Sequence, residues 1–157
     1  MGTDAAPSPL ALVLDRAYTG EGAFERVERL LVGLTPEQAV TRLPGMANSI
    51  AWHVAHMSYW LRLYLEFIAA AEAWEGPPPP PEPTADDWQA VTKELQGLLA
   101  EAAGLAADPA LTERTVAFPT GSAPAATLLG DCAAHNAYHW GQVVLTRRLL
   151  GAWPPAG

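Results

Sequence analysis

The sequence has little of several things that would direct it elsewhere. It holds one cysteine, Cys132, so no disulfide can close within the chain, and the cross-linked framework of a small secreted scaffold is excluded. No apolar run approaches the roughly 20 residues a helix needs to cross a bilayer. Residues 1–9 (MGTDAAPSP) have neither the basic start nor the apolar stretch of a signal peptide. The expectation is a cytoplasmic protein with no membrane partner, its mature chain beginning near residue 1. Basic residues are scarce as well: nine Lys and Arg stand against 17 Asp and Glu, for a net charge of −8. With no basic stripe to neutralise phosphates, direct DNA or RNA binding is excluded as a function.

What the chain does have is apolar and helical. Half of its 157 residues are hydrophobic and only 17% are charged, enough to bury the core of one ordinary domain. Apolar residues recur at helical spacing from Leu10 to Leu34, through Val13, Leu14, Ala17, Phe24, Val27, Leu30 and Leu31, with a bend expected near Gly20 and Gly22. Thr35-Pro36-Glu37-Gln38 reads as a capping box opening a short connector. A second long helix is capped by Asn48 or Ser49 and runs to about Trp74. It must stop before Gly76 to Pro83, where six prolines make a stiff, exposed link. A third helix opens at Thr84 or Asp86 and reaches about Leu105. Residues 107–123 form a loop with an extended segment at Thr115 to Phe118 and a turn at Pro119-Thr120-Gly121-Ser122. Pro124 starts the last helix, which Gly151 closes after Leu150. The pattern predicts an all-α four-helix bundle, a single domain over 1–157 with helices at about 10–34, 49–74, 85–105 and 124–150.

All four histidines fall on two of these helices, His53 and His56 on the second, His135 and His139 on the last. Four residues of helix advance about 400° and roughly 6 Å, so His135 and His139 leave one face with their rings able to converge on one ion. A third imidazole from a facing helix would make a three-histidine set with coordination positions left open. The bland alternative is a solvated face, or core histidines bonded to carbonyls. A helical wheel sets His53 more nearly opposite the Ser58, Arg62 and Glu66 flank than His56, and so favours His53 over His56 as the ligand from this helix. Asp131 lies one turn before His135, where a carboxylate would orient that ring, act as a base, or simply solvate the helix start. Cys132 is either a thiol near the site or a buried, inert one. Tyr138 and Tyr59 are candidate hydrogen-bond donors to substrate, or packed rings with wet hydroxyls.

Two stretches carry a resemblance to a known family. Ser49-Ile50-Ala51-Trp52-His53-Val54-Ala55-His56 after a Pro-Gly loop, and His135-Asn136-Ala137-Tyr138-His139-Trp140-Gly141-Gln142 followed by Arg147 and Arg148, resemble the DinB-like superfamily. That superfamily includes mycothiol- and bacillithiol-dependent transferases and maleylpyruvate isomerase. The resemblance implies a four-helix bundle, often a homodimer, that holds nickel, zinc, iron or a similar divalent ion on His56, His135 and His139. His53 would then face the substrate, support the site from behind, or merely pack. Gln142 would hold the free nitrogen of an imidazole, and Gly141 would admit a neighbouring helix. Trp140 stands where members often carry Arg, which puts in doubt any contact shared through that position.

Two functions follow as expectations. One is a metal-dependent enzyme acting on a small molecule, a thiol S-transferase using a low-molecular-weight thiol, or a hydrolase. The other is a non-catalytic bundle, a metal-stabilised stress-response protein or a small-ligand binder lined by Trp52, Tyr59 and Trp60.

Overall fold

The structure, a computed structural model, describes residues 8–21, 25–70, 78–118 and 120–154. Its elements in chain order are α1 (Pro9–Thr19), α2 (Val27–Leu30), α3 (Pro36–Val40), α4 (Ile50–Ala70), α5 (Trp88–Ala106), α6 (Pro109–Thr112), β1 (Thr115–Phe118), β2 (Gly121–Pro124) and α7 (Ala125–Leu149). The four long helices α1, α4, α5 and α7 make the bundle. Helix α4 packs on α5 and α7, and α1 packs on the same two, so α4 and α7 are direct neighbours. A stripe of fully buried aliphatics, among them Ile50, Leu61, Leu95, Leu129 and Val143, fills the space between them.

Local chemistry sets where each helix begins and ends. Ser8 caps α1 by accepting from the Ala11 amide at 3.1 Å, with Pro9 at its first turn. The helix stops at Gly20, whose left-handed φ of 79° lets its N–H bond back to the Arg16 carbonyl. The helix expected over 10–34 is therefore not continuous: the glycine ends it, and helical turns resume only in α2. Thr35 and Gln38 form the expected capping box around α3. Of the two caps offered for α4, Ser49 serves, its hydroxyl accepting from the Trp52 amide at 3.1 Å. The expected end of that helix, Ala71 to Trp74, and the start of the link, Gly76 and Pro77, lie outside the described residues. The extended segment at 115–118 is realised as one arm of an antiparallel hairpin, β1 pairing with β2 in the register Thr115 to Pro124 and Phe118 to Gly121. This small hairpin leads straight into α7, and no strand pairing was expected there.

Two side chains fix the bundle's register by bonds between segments distant in sequence. The Tyr18 hydroxyl on α1 donates to the Leu129 carbonyl on α7 at 2.7 Å. At the far end of α7 the guanidinium of Arg147, only 1% exposed, donates to the carbonyls of Leu30, Val32 and Ala152 and lies beneath the Trp153 ring. A buried cation normally requires a partner charge; here its donors are used by carbonyls left free where α2 and α7 end. Gly141, by contrast, is exposed, and a Cβ there would meet nothing within 4 Å. The close helix approach expected at this glycine is absent. Trp140 beside it is 3% exposed and belongs to the core.

Replacing Arg147 by Met removes the donors and leaves three carbonyls unpaired. The expected result in urea unfolding is a loss of about 2–4 kcal/mol with little change in the slope of the transition.

Candidate metal centre

Helix α4 presents His53 and His56 toward α7, and α7 presents His135 and His139 toward α4, so the packing of these two helices brings all four imidazoles together. The nitrogens that converge are those of His56, His135 and His139, one from each ring, all within 4.8 Å of one another. The two Nε2 atoms of His135 and His139 stand 3.1 Å apart. Two donors each about 2.0–2.1 Å from one ion stand roughly 2.9 Å apart at a right angle and roughly 3.4 Å apart at a tetrahedral angle. The observed separation lies between those limits. The ring centroids of His56 lie 4.7 Å from His139 and 5.2 Å from His135, which puts the third ring alongside the first two.

His53 occupies a different place. Its Nδ1 is 2.9 Å from the Nδ1 of His139, on the edge of that ring away from His135. The wheel, which favours His53 as the ligand from this helix, picks the more buried ring, 5% exposed; the motif picks His56, whose nitrogen is the one that joins the cluster.

Aromatic side chains hold these rings in place. Trp52 lies one turn before His56 and stacks on it, centroids 4.5 Å apart and planes 15° from parallel. Trp60 sits on the other side, 6.3 Å from both His56 and His135 and edge-on to each. A small cavity of about 50 Å³ lies over His56, between Trp52, Tyr59 and the prolines 79 to 81 and 83. The proline link is drawn against α4 by Glu82, which accepts from the Ser49 hydroxyl at 3.0 Å and pairs with Arg42. Next to this cavity a groove of about 430 Å³ runs between α4, the proline link and the start of α5, edged by Ser58, Arg62, Asp87 and Glu94. The cluster is therefore closed toward the core and reachable along the His56 edge, where His56 and His135 are half-buried.

Electrostatics keep the rings uncharged. Burial, reinforced by the neighbouring His56, lowers His53 to about 4. Burial and the three other rings together lower His139 to about 3. His56 and His135 move the same way, chiefly through burial. Among the described residues no carboxylate forms an ion pair with any of them. Neutral imidazoles with lone pairs directed at one point are the form in which histidine binds a divalent ion.

The other residues singled out from the sequence are placed as follows. Asp131 is exposed, and its charge raises Cys132 and Tyr64 without pairing to an imidazole. Cys132 is fully buried and is pushed up to about 12 by that burial and by Asp131, so it stays a thiol. Tyr138 is 68% exposed, with its ring edge-on to His139 at 5.2 Å. Gln142 is half-buried, and among the described residues its side chain makes no hydrogen bond to an imidazole. Sequence reasoning did not anticipate Asn136, which is 2% exposed with both ends of its carboxamide unpartnered, or the buried unpartnered Nδ1 of His135 beside it. Nothing in the spacing distinguishes this asparagine. The Trp52 stack was readable in principle, because Trp52 and His56 are four apart on a helix.

Fold and site together define a class, the all-helical bundle whose adjoining helices bring three histidine nitrogens to one point. The chain belongs to the DinB superfamily, whose family model matches residues 20–143. No curated protein and no solved structure matches it. No helix among the described residues is long and apolar enough to cross a membrane.

The lowered histidines fix the sign of the pH response without metal. A base whose folded pKa lies below its unfolded value of about 6.5 favours folding fully above that value, and the contribution is lost as pH falls toward the folded pKa. In chelator, stability should fall between about pH 6.5 and pH 4, by up to about 1.4 kcal/mol per pH unit for each of His53 and His139. Urea unfolding at successive pH values measures it, and a His139→Leu variant should give a flatter profile.

Proposed function

We propose that this protein is a metal-dependent enzyme whose divalent ion is held by His56, His135 and His139. The observation that carries the reading is the convergence of three neutral imidazole nitrogens within 4.8 Å at the reachable edge of the α4 and α7 contact. The donor set fits such an ion: three nitrogen ligands of the kind that suit nickel, zinc or iron, with the His135 to His139 separation of 3.1 Å of the right size and further positions left to substrate. Bound there, the ion would supply Lewis acidity, lowering the pKa of a water or thiol that ligates it so that a nucleophile exists at neutral pH.

The chain's own side chains have separable tasks. His135 and His139 form the chelating pair, rigid because they share one helix, and His56 closes the set from the facing helix. Trp52 fixes the plane of His56 by stacking, which reduces the ordering that binding must impose. Trp60 and the proline link wall the approach, and the groove beside them seats the substrate. The prolines offer carbonyls and ring faces but no amide donors, so that wall recognises shape and apolar surface. Thiol S-transfer with a low-molecular-weight thiol such as bacillithiol or mycothiol, or metal-dependent hydrolysis, is the reaction class we assign, and a homodimer in the cytoplasm is the assembly and location we propose. The one observation favouring a non-catalytic metal or ligand binder is that, among the described residues, no carboxylate pairs with the imidazoles to serve as a base.

Metal analysis of the purified protein should give one divalent ion per chain. Chelation should lower the melting midpoint, and His135→Ala or His139→Ala should abolish that response. With a panel of thiols and electrophiles, the metal-loaded protein should turn over, and each of these variants should lose at least ~100-fold in rate. A stoichiometric ion without turnover would move the assignment to the binder.

A further inference from the structure

His139 makes two contacts through two nitrogens: its Nε2 lies 3.1 Å from His135, and its Nδ1 lies 2.9 Å from the Nδ1 of His53. The two nitrogens of an imidazole point apart, so these contacts lie on opposite edges of one ring. A neutral ring carries one proton, and its position decides whether the ring can bind an ion. With the proton on Nε2, the lone pair that should face His56 and His135 is gone. With the proton on Nδ1, that lone pair is free.

We propose that His53 is a positioning residue that fixes this tautomer: its Nδ1 lone pair accepts the Nδ1–H of His139, leaving the Nε2 of His139 bare toward the cluster. His53 must then carry its own proton on Nε2. The inference rests on the metal reading above and goes beyond it, since that reading requires three ligands and says nothing of what orients them.

The surroundings of His53 suit the task. It is 5% exposed, so water does not compete for the bond, and the Trp52 ring lies edge-on to it at 5.2 Å, with planes 86° apart, confining its rotation. Its position three residues before His56 lets one helix supply both a ligand and the support of a ligand on the facing helix. The Nδ1 of His135, in contrast, is buried with no partner. The two members of the chelating pair are thus held differently, His139 against His53 and His135 beside the Asn136 carboxamide. A neutral acceptor also differs from the carboxylate that often takes this place, because it adds no negative charge behind the ligand. The ion's charge is then offset less, and its Lewis acidity is greater.

The test compares wild type, His53→Phe and His53→Gln by zinc titration against a competing chelator, together with ¹⁵N spectra of the imidazoles in the zinc-loaded wild type. The phenylalanine variant removes the acceptor and keeps the volume. It should bind zinc about 10–100-fold more weakly, and glutamine, which restores an acceptor oxygen, should recover most of the loss. The spectra should show His139 protonated at Nδ1, with its Nε2 shifted by the metal, and His53 protonated at Nε2. Equal zinc affinity in His53→Phe overturns the inference, as does an equal loss in both variants, which would indicate packing alone. Should His53→Phe fail to fold, the wild-type spectrum decides, and a His139 Nδ1 without a proton overturns the proposal. Wild type that binds no zinc, nickel or iron sinks the metal reading and this inference with it, whereas zinc binding unchanged in His53→Phe sinks the role of His53 alone.

Discussion

The contact between α4 and α7 is the constraint on which the rest of the molecule depends. It buries apolar residues such as Met57, Leu61, Leu129 and Val143, and at one place along the seam it buries imidazoles instead. Buried polar rings such as His53 and His139 must find partners nearby. The bond between their Nδ1 atoms is the result, and it leaves the Nε2 of His139 facing that of His135 across 3.1 Å. A shift of either helix by one residue would turn these rings through roughly 100° and leave them unpaired in an apolar interior. The core residues on both sides of the seam therefore determine the geometry of the site.

The same burial that threatens the rings also prepares them. Desolvation lowers all four histidines, and repulsion between rings adds to it at His53, His56 and His139, so each ring is neutral and keeps one nitrogen lone pair over the working range of a cell. Among the described residues no carboxylate pairs with an imidazole. A divalent cation is the partner such an array suits, since it relieves the repulsion between facing lone pairs instead of adding to it. The reachable side of the cluster, under Trp52 and the prolines, is where chemistry with a small molecule has room.

Much of this was legible in the sequence, and the reasons are specific. His135 and His139 are four apart on a long helix, and that spacing alone makes a converging pair. The Pro-Gly loop and Ser49 mark where the second helix must begin, which sets the phase of His53 and His56. Less legible was anything decided between elements. The break at Gly20 needed a left-handed backbone that periodicity does not reveal, and apolar spacing on both sides suggested one continuous helix. The hairpin was half visible, because the pairing of β1 with β2 depends on a turn closing at the right length. Gly141 looked like a site of close approach yet faces open space. Gln142 sits three residues after a ligand and on the same helix face, yet among the described residues its side chain reaches no imidazole.

Arg147 illustrates a different economy of design. All of its bonds end on main-chain oxygens of residues 30, 32 and 152, and such acceptors exist whatever side chain those positions carry. The anchor is therefore insulated from mutation on one side: substitutions along α2 and the C-terminal turn can accumulate while the clasp persists, provided the backbone path is kept. Drift can reshape that end of the bundle over generations without loosening His139, about two turns back along α7.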